Sequence, residues 1–169
     1  MRRHEPQPGD IGLSRITGFT GLFVSFGQWL IGDASRYTHA FIVVDGGRVV
    51  EAMPGGATYG SLQHYLDTGA VFSSGKIHLT DEQRALIVDE ANSLIGTPYS
   101  FLDYAAIGLH RLGLRPRFIE KYVSSSAHMI CSQLVDYVYC LAGIHLFFDA
   151  RLSQNVTPGD IANVLIEEW

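Results

Sequence analysis

Three residues of this chain have the types needed to cleave an acyl bond together: Cys131, His39 and Glu51. Hydrolysis by a cysteine needs a nucleophile, a base that can hold its proton, and a group that fixes the tautomer and orientation of that base. Cys131, Leu134, Val135, Val138 and Leu141 recur at helical spacing until Gly143, behind the run Ser124-Ser125-Ser126. The spacing predicts an amphipathic helix with the cysteine in its first turn. Unpaired N–H groups and the positive end of the helix dipole lie there, and both favour the thiolate, which is the nucleophilic form. Cys131 also lies on the apolar stripe, and a helix cysteine taken alone is most often a small core residue. The helix decides nothing until a base and its orienting group are found.

Thr38 to Val44 reads as a strand buried on both sides, because Phe41-Ile42-Val43-Val44 is apolar at consecutive positions. His39 lies at its start. Asp45-Gly46-Gly47 is a hairpin signal, and Arg48 to Ala52 returns as the partner strand. A three-residue loop sets Val44 opposite Arg48 and Phe41 opposite Glu51. His39 and Glu51 are then diagonal neighbours on one face, about 7–8 Å apart at the backbone. A two-residue loop would separate them. Histidine changes charge near neutral pH, and a carboxylate beside it stabilises the imidazolium. Taken singly, His39 reads as a hydrogen-bonded core histidine and Glu51 as a solvated strand-end charge. A glutamate between Val50 and Ala52 in a largely buried strand, however, needs a partner.

Other chemistries find less support. His39, His64, His78, His110, His128 and His145 stand in no His-x-x-x-His or Cys-x-x-Cys spacing, so no zinc site and no cofactor is signalled. There is no Gly-x-Ser-x-Gly elbow, phosphate-binding glycine loop or dinucleotide fingerprint.

The remaining elements must position these residues. Pro8-Gly9-Asp10 is a turn before a short strand, Ile11 to Ser14. Leu22, Phe23, Phe26, Trp29, Leu30 and Ile31 give an amphipathic helix ended by Gly32, either core cover or an apolar wall or lid. Met53 to Gly60 reads as loop, Leu62 to Leu66 as a short helix, and Val71 to Leu79 as one or two strands broken near Ser73-Ser74-Gly75. Thr80-Asp81-Glu82-Gln83 is a capping box opening a helix with Leu86, Ile87, Ala91, Leu94 and Ile95 as its apolar set, ended at Gly96. Gly96-Thr97-Pro98-Tyr99 is a turn, and a short helix capped by Ser100 and Asp103 runs through Leu109. Arg111 to Arg117 is a basic surface segment, and Thr157-Pro158-Gly159-Asp160 starts a last helix through Ile166.

At 169 residues, 47% hydrophobic and 17% charged, the chain suits one domain, 1–169, with a sizeable core. A formal charge of −5 and no basic block give nucleic acid no reason to bind. Cys131 and Cys140, nine residues apart on one helix, lie on opposite faces and about 13 Å apart along its axis, so they cannot bridge. Free thiols fit a reducing compartment. Met1 to Pro8 lacks the apolar core of a secretory signal, and Gly21 to Gly32 is too short to span a bilayer. The expectation is a protein without a transmembrane segment, cytoplasmic or released without a signal peptide, for example by lysis or on a phage particle.

Gly96-Thr97-Pro98-Tyr99, Cys131-Ser132-Gln133-Leu134-Val135 and Gly143-Ile144 resemble the first half of an NlpC-type papain-like cysteine peptidase. The second half of that pattern is similar to Pro8-Gly9-Asp10-Ile11, Thr38-His39-Ala40 through Gly46, and Val49-Val50-Glu51-Ala52, here at the front of the chain. Histidine before cysteine resembles the circularly permuted branch, and the YiiX-like hydrolases most of all. Ile130 stands where NlpC-type enzymes carry Asp, and Ala40 departs from the pattern after the histidine. The resemblance implies an α+β permuted papain-like fold, with a small antiparallel sheet or partial barrel packed on the cysteine helix. It implies Cys131 as nucleophile, His39 as general base and acid, Glu51 as the orienting residue and Tyr99 beside the oxyanion or substrate. The expected reaction is amide cleavage, peptidase or amidase in type and with cell-wall peptides among the substrates, through a thioester. A lipid or acyl-ester hydrolase or acyltransferase on the same triad is the alternative; the apolar helix at 22–31 favours it and the lack of an Asn-Cys-Glu-His block opposes it. A catalytically idle binding module is the non-enzymatic rival.

Overall fold

The structure, a computed structural model, describes residues 5–15, 35–53, 55–98, 130–149 and 151–166. Its strands are β1 (Ile11–Ser14), β2 (His39–Val44), β3 (Arg48–Met53), β4 (Gly56–Ser61) and β5 (Val71–Phe72). They form one open antiparallel sheet in the order β4-β3-β2-β1-β5. The helices are α1 (Leu62–Asp67), α2 (Asp81–Ser93), α3 (Cys131–Leu141) and α4 (Pro158–Ile166), with a short 3-10 turn at Ser153–Asn155. Together these make an α+β fold.

The hairpin that matters takes the three-residue loop. Gly46 and Gly47 sit at φ 72° and 68°, a region open to glycine, and Phe41 pairs with Glu51 and Val44 with Arg48. β2 is buried along its whole length. Its side chains divide between two clusters. Ala40, Ile42 and Val44 join Ile11, Leu13, Val50 and the α3 residues Leu134, Val135 and Val138 in the main core. Phe41 and Val43 join Val49 and Tyr65 on the opposite face, beneath α1. There the Phe41 ring stacks on Tyr65 at 4.0 Å between centroids. Gly12, opposite Phe41, leaves room for that ring, since a Cβ at Gly12 would lie 2.1 Å from it.

Three expectations are corrected. Met53 to Gly60 is not a loop: Gly56–Ser61 is β4, paired along β3 and tied by Ala57 N–H to Thr97 O and Gly96 N–H to Ala57 O, both 2.8 Å. Val71 to Leu79 supplies one short strand, the two residues of β5, and the chain turns at Ser73, where the sequence places the break. The sheet is open, so the partial-barrel version of the fold does not hold among the described strands. The capping box at Thr80 and Gln83 is formed as expected, but Leu86 and Ile95 from the apolar set of that helix are exposed, and Ile87, Val88 and Ala91 make its contact with the core. The apolar helix at 22–31, the short helix through Leu109, Arg111 to Arg117 and Ser124 to Ser126 lie outside the described residues.

α3 is held at both ends. Ile130 is its N-cap in extended conformation, and its N–H donates to Gln133 Oε1 at 3.1 Å. Ser132 Oγ donates to Val156 O at 2.6 Å, fixing the first turn to the segment before α4. At the far end Gly143 adopts φ 75°, with Gly143 N–H on Cys140 O and Ile144 N–H on Tyr139 O, the paired bonds of a Schellman motif. The Tyr139 hydroxyl donates to Gly9 O at 2.7 Å, so the helix cannot slide along the sheet without breaking a buried bond.

Candidate active site

Cys131 is the first residue of α3 and is buried, with 2% of its surface exposed. It packs in the main core, whereas His39 opens β2 and shares the opposite face with Phe41 and Tyr65. The two meet at the end of the strand, where the Cys131 thiol is hydrogen-bonded to the imidazole. On the other side, His39 Nε2 lies 2.7 Å from Glu51 Oε2. Nδ1 is the ring nitrogen left for the thiol. Glu51 reaches the histidine because the hairpin register puts them on one face as diagonal neighbours.

A fourth group completes the cluster. The Tyr65 hydroxyl donates to Glu51 Oε2 at 2.5 Å, so one carboxylate oxygen serves both the imidazole and the phenol. The other oxygen, Oε1, lies over Gly60, where an added Cβ would stand 2.1 Å from it. Neither Tyr65 nor Gly60 stands out in the sequence. A strand glycine often marks a close approach, but the stretch around Gly60 has weak strand propensity and reads as loop, so that signal is not raised.

The electrostatics follow from burial and contact. Burial alone would lower the His39 pKa, but the hydrogen bonds and charges of Cys131 and Glu51 outweigh it and hold the imidazole at about 9. Burial opposes ionisation of Glu51 too, yet the bonds to His39 and Tyr65, with His64 nearby, keep its carboxyl below the ordinary carboxylate value. Burial and the adjacent Glu51 carboxylate push the Tyr65 phenol far above its ordinary value, so it stays a donor at any physiological pH. Cys140, the other cysteine, is likewise in no disulfide, and burial with Asp136 beside it raises its thiol. Tyr99 lies outside the described residues, although the Gly96–Thr97 turn before it is bonded to β4.

No family model and no curated protein matches the chain. A solved structure described as metalloprotein yiiX from Escherichia coli O157:H7, DUF1105, matches it with a TM-score of 0.59 and 22% identity, over 83% of this chain and 69% of that one. The chain has a yiiX-like fold. That neighbour is called a metalloprotein, and the donors here bear on whether this yiiX-like chain could hold an ion. Among the described residues no group of three or more His, Cys, Asp or Glu side chains is arranged to hold a metal ion. At the cluster itself the donors are turned on one another, with His39 bonded to both Cys131 and Glu51 and the Glu51 oxygen already taking two donors. The described residues do not fit a metal centre. No described helix is long and apolar enough to cross a membrane.

Proposed function

We propose that this chain is a cysteine hydrolase of the permuted papain-like type, cleaving an amide bond as a peptidase or amidase. The observation that carries the reading is a single buried imidazole joining the Cys131 thiol to the Glu51 carboxylate. A cysteine that only filled core would need no basic partner, and a histidine that only filled core would be kept neutral by its burial. Here the partners overcome that burial.

In this reading His39 Nδ1 takes the thiol proton and Glu51 holds the imidazolium from Nε2. The Cys131 sulfur attacks the substrate carbonyl carbon, and the carbonyl electrons move to oxygen. The negative oxygen develops at the first turn of α3, where helix N–H groups and the dipole favour it. Collapse expels the amine, which takes the proton from His39 and leaves an S-acyl Cys131. Water, deprotonated by His39, attacks the thioester; the carboxylic acid leaves and the thiol regains its proton. No step passes through a metal. Peptide-like amides, cell-wall peptides among them, are the substrate class proposed. The acyl-ester alternative rests on the apolar stripe of the sequence at 22–31, and no described feature favours it.

The test is the rate of iodoacetamide alkylation at Cys131 against pH, in wild type, His39→Ala and Glu51→Ala, with Cys140 as internal control. The expected result is alkylation of Cys131 persisting well below the ordinary thiol pKa of about 8.5, lost in His39→Ala and unchanged by EDTA. On peptide amides, Cys131→Ala should lower turnover about 10³-fold or more. Slow alkylation of both cysteines, indifferent to His39, would leave an idle module and overturn the proposal.

A further inference from the structure

The Glu51 carboxylate is constrained at more points than a simple orienting group requires. His39 Nε2 and the Tyr65 hydroxyl both meet Oε2, at 2.7 and 2.5 Å, while Oε1 lies against Gly60. The carboxylate therefore cannot rotate to exchange its oxygens without breaking two bonds and striking the β4 backbone. Tyr65 is itself fixed, buried and stacked on Phe41, and α1, which carries it, is capped by Ser61 at the end of β4. The segment from Gly60 to Tyr65 thus supplies both the space beneath one oxygen and the donor on the other.

We propose that Tyr65 is a positioning residue of the hydrolase, acting through Glu51: its hydroxyl keeps the carboxylate ionised and aimed at His39. The inference rests on the reading of Cys131, His39 and Glu51 as a catalytic triad. Its physical basis is the competition for one oxygen. A carboxylate bonded only to the imidazolium competes more strongly for the Nε2 proton; a second donor on the same oxygen weakens its basicity and favours the proton on the ring. The proton on Nε2 is what keeps His39 charged while the sulfur is a thiolate. The groups facing Glu51 are His39 from β2 and His64 and Tyr65 from α1, with Cys131 of α3 beyond the imidazole. Of the two α1 side chains, the one bonded to the carboxylate is Tyr65.

Tyr65→Phe keeps the ring on Phe41 and removes only the hydroxyl, so it separates positioning from packing. The experiment measures Cys131 alkylation against pH, and peptide-amide turnover where a substrate is found, in wild type, Tyr65→Phe and Glu51→Gln. Losing one hydrogen bond to a buried carboxylate should move the acid limb of the Cys131 profile upward by about one pH unit. Turnover at neutral pH should fall about tenfold or more, mainly in kcat. Glu51→Gln should abolish that limb, and Tyr65→Phe in the Glu51→Gln background should add no further change. An unmoved acid limb in a folded Tyr65→Phe protein whose wild-type Cys131 is activated would overturn the inference alone. An inert wild-type Cys131 would instead overturn the hydrolase reading on which it rests.

Discussion

At Gly60 an added Cβ would stand 2.1 Å from Glu51 Oε1 and 3.0 Å from a Val49 methyl, so the absence of a side chain there is a condition for the carboxylate to reach His39. Gly60→Ala must push Glu51 aside or bend β4. Overpacking of this kind costs about 1–3 kcal/mol, and the displaced carboxylate should slow Cys131 alkylation at pH 6 far more than it lowers the denaturation midpoint. Comparing the alkylation rate with the midpoint in one variant checks this, and a stability loss with an unchanged rate would contradict it. The sequence made His39 and Glu51 legible because the face they share depends only on the length of the Asp45–Gly47 loop. It did not reveal Gly60 or Tyr65. Glycine beside Pro54-Gly55-Gly56 reads as turn chemistry, and a six-residue helix such as α1 is too short for periodicity to mark the side that Tyr65 presents inward.

At the scale of elements, the distance between thiol and imidazole is set by how α3 is seated on the sheet, and that seat is held by polar bonds as well as by packing. Ser132, next to the cysteine, is fully buried and donates to Val156 O at 2.6 Å. Ser132→Ala would leave that carbonyl without this donor, at a cost of about 1–3 kcal/mol, and should lower the denaturant midpoint without changing the slope of the transition. A midpoint within error of wild type would show the bond to be dispensable. α3 was legible from its 3.6-residue stripe and from Gly143, where a positive φ ends the helix. β4 was not, because its propensity is weak and its partnership with β3 and with Thr97 is a tertiary choice that local residues do not announce. Leu141, on the predicted stripe, is 44% exposed, although Val138 and Tyr139 of the same turn are fully buried.

For the whole molecule, the buried pair couples folding to pH in two directions. His39 is raised from 6.5 to about 9 in the folded chain, so its contribution is fully present below 6.5 and is lost as pH climbs through about 9. Glu51 is lowered from 4.5, so its contribution is present above 4.5 and is lost as pH falls through its folded value. The pair therefore stabilises the fold most between 4.5 and 6.5. The stability difference between wild type and His39→Ala should shrink steadily from pH 6.5 to 9, as thermal melts across that range would record; a constant difference would mean that His39 does not bind its proton more tightly when folded. The assembly of the cluster also has an order to it. His39, Glu51, Gly60 and Tyr65 come from one continuous stretch of hairpin, strand and short helix, whereas Cys131 arrives on a helix much later in the chain. During synthesis the base and its supports can take shape while the sulfur is still inside or just leaving the ribosome. In the hydrolase reading we propose, a partly made chain thus carries no armed nucleophile. The reactivity assigned to Cys131 is then a late product of folding, which spares nascent and misfolded copies from attack by their own sulfur on neighbouring amides.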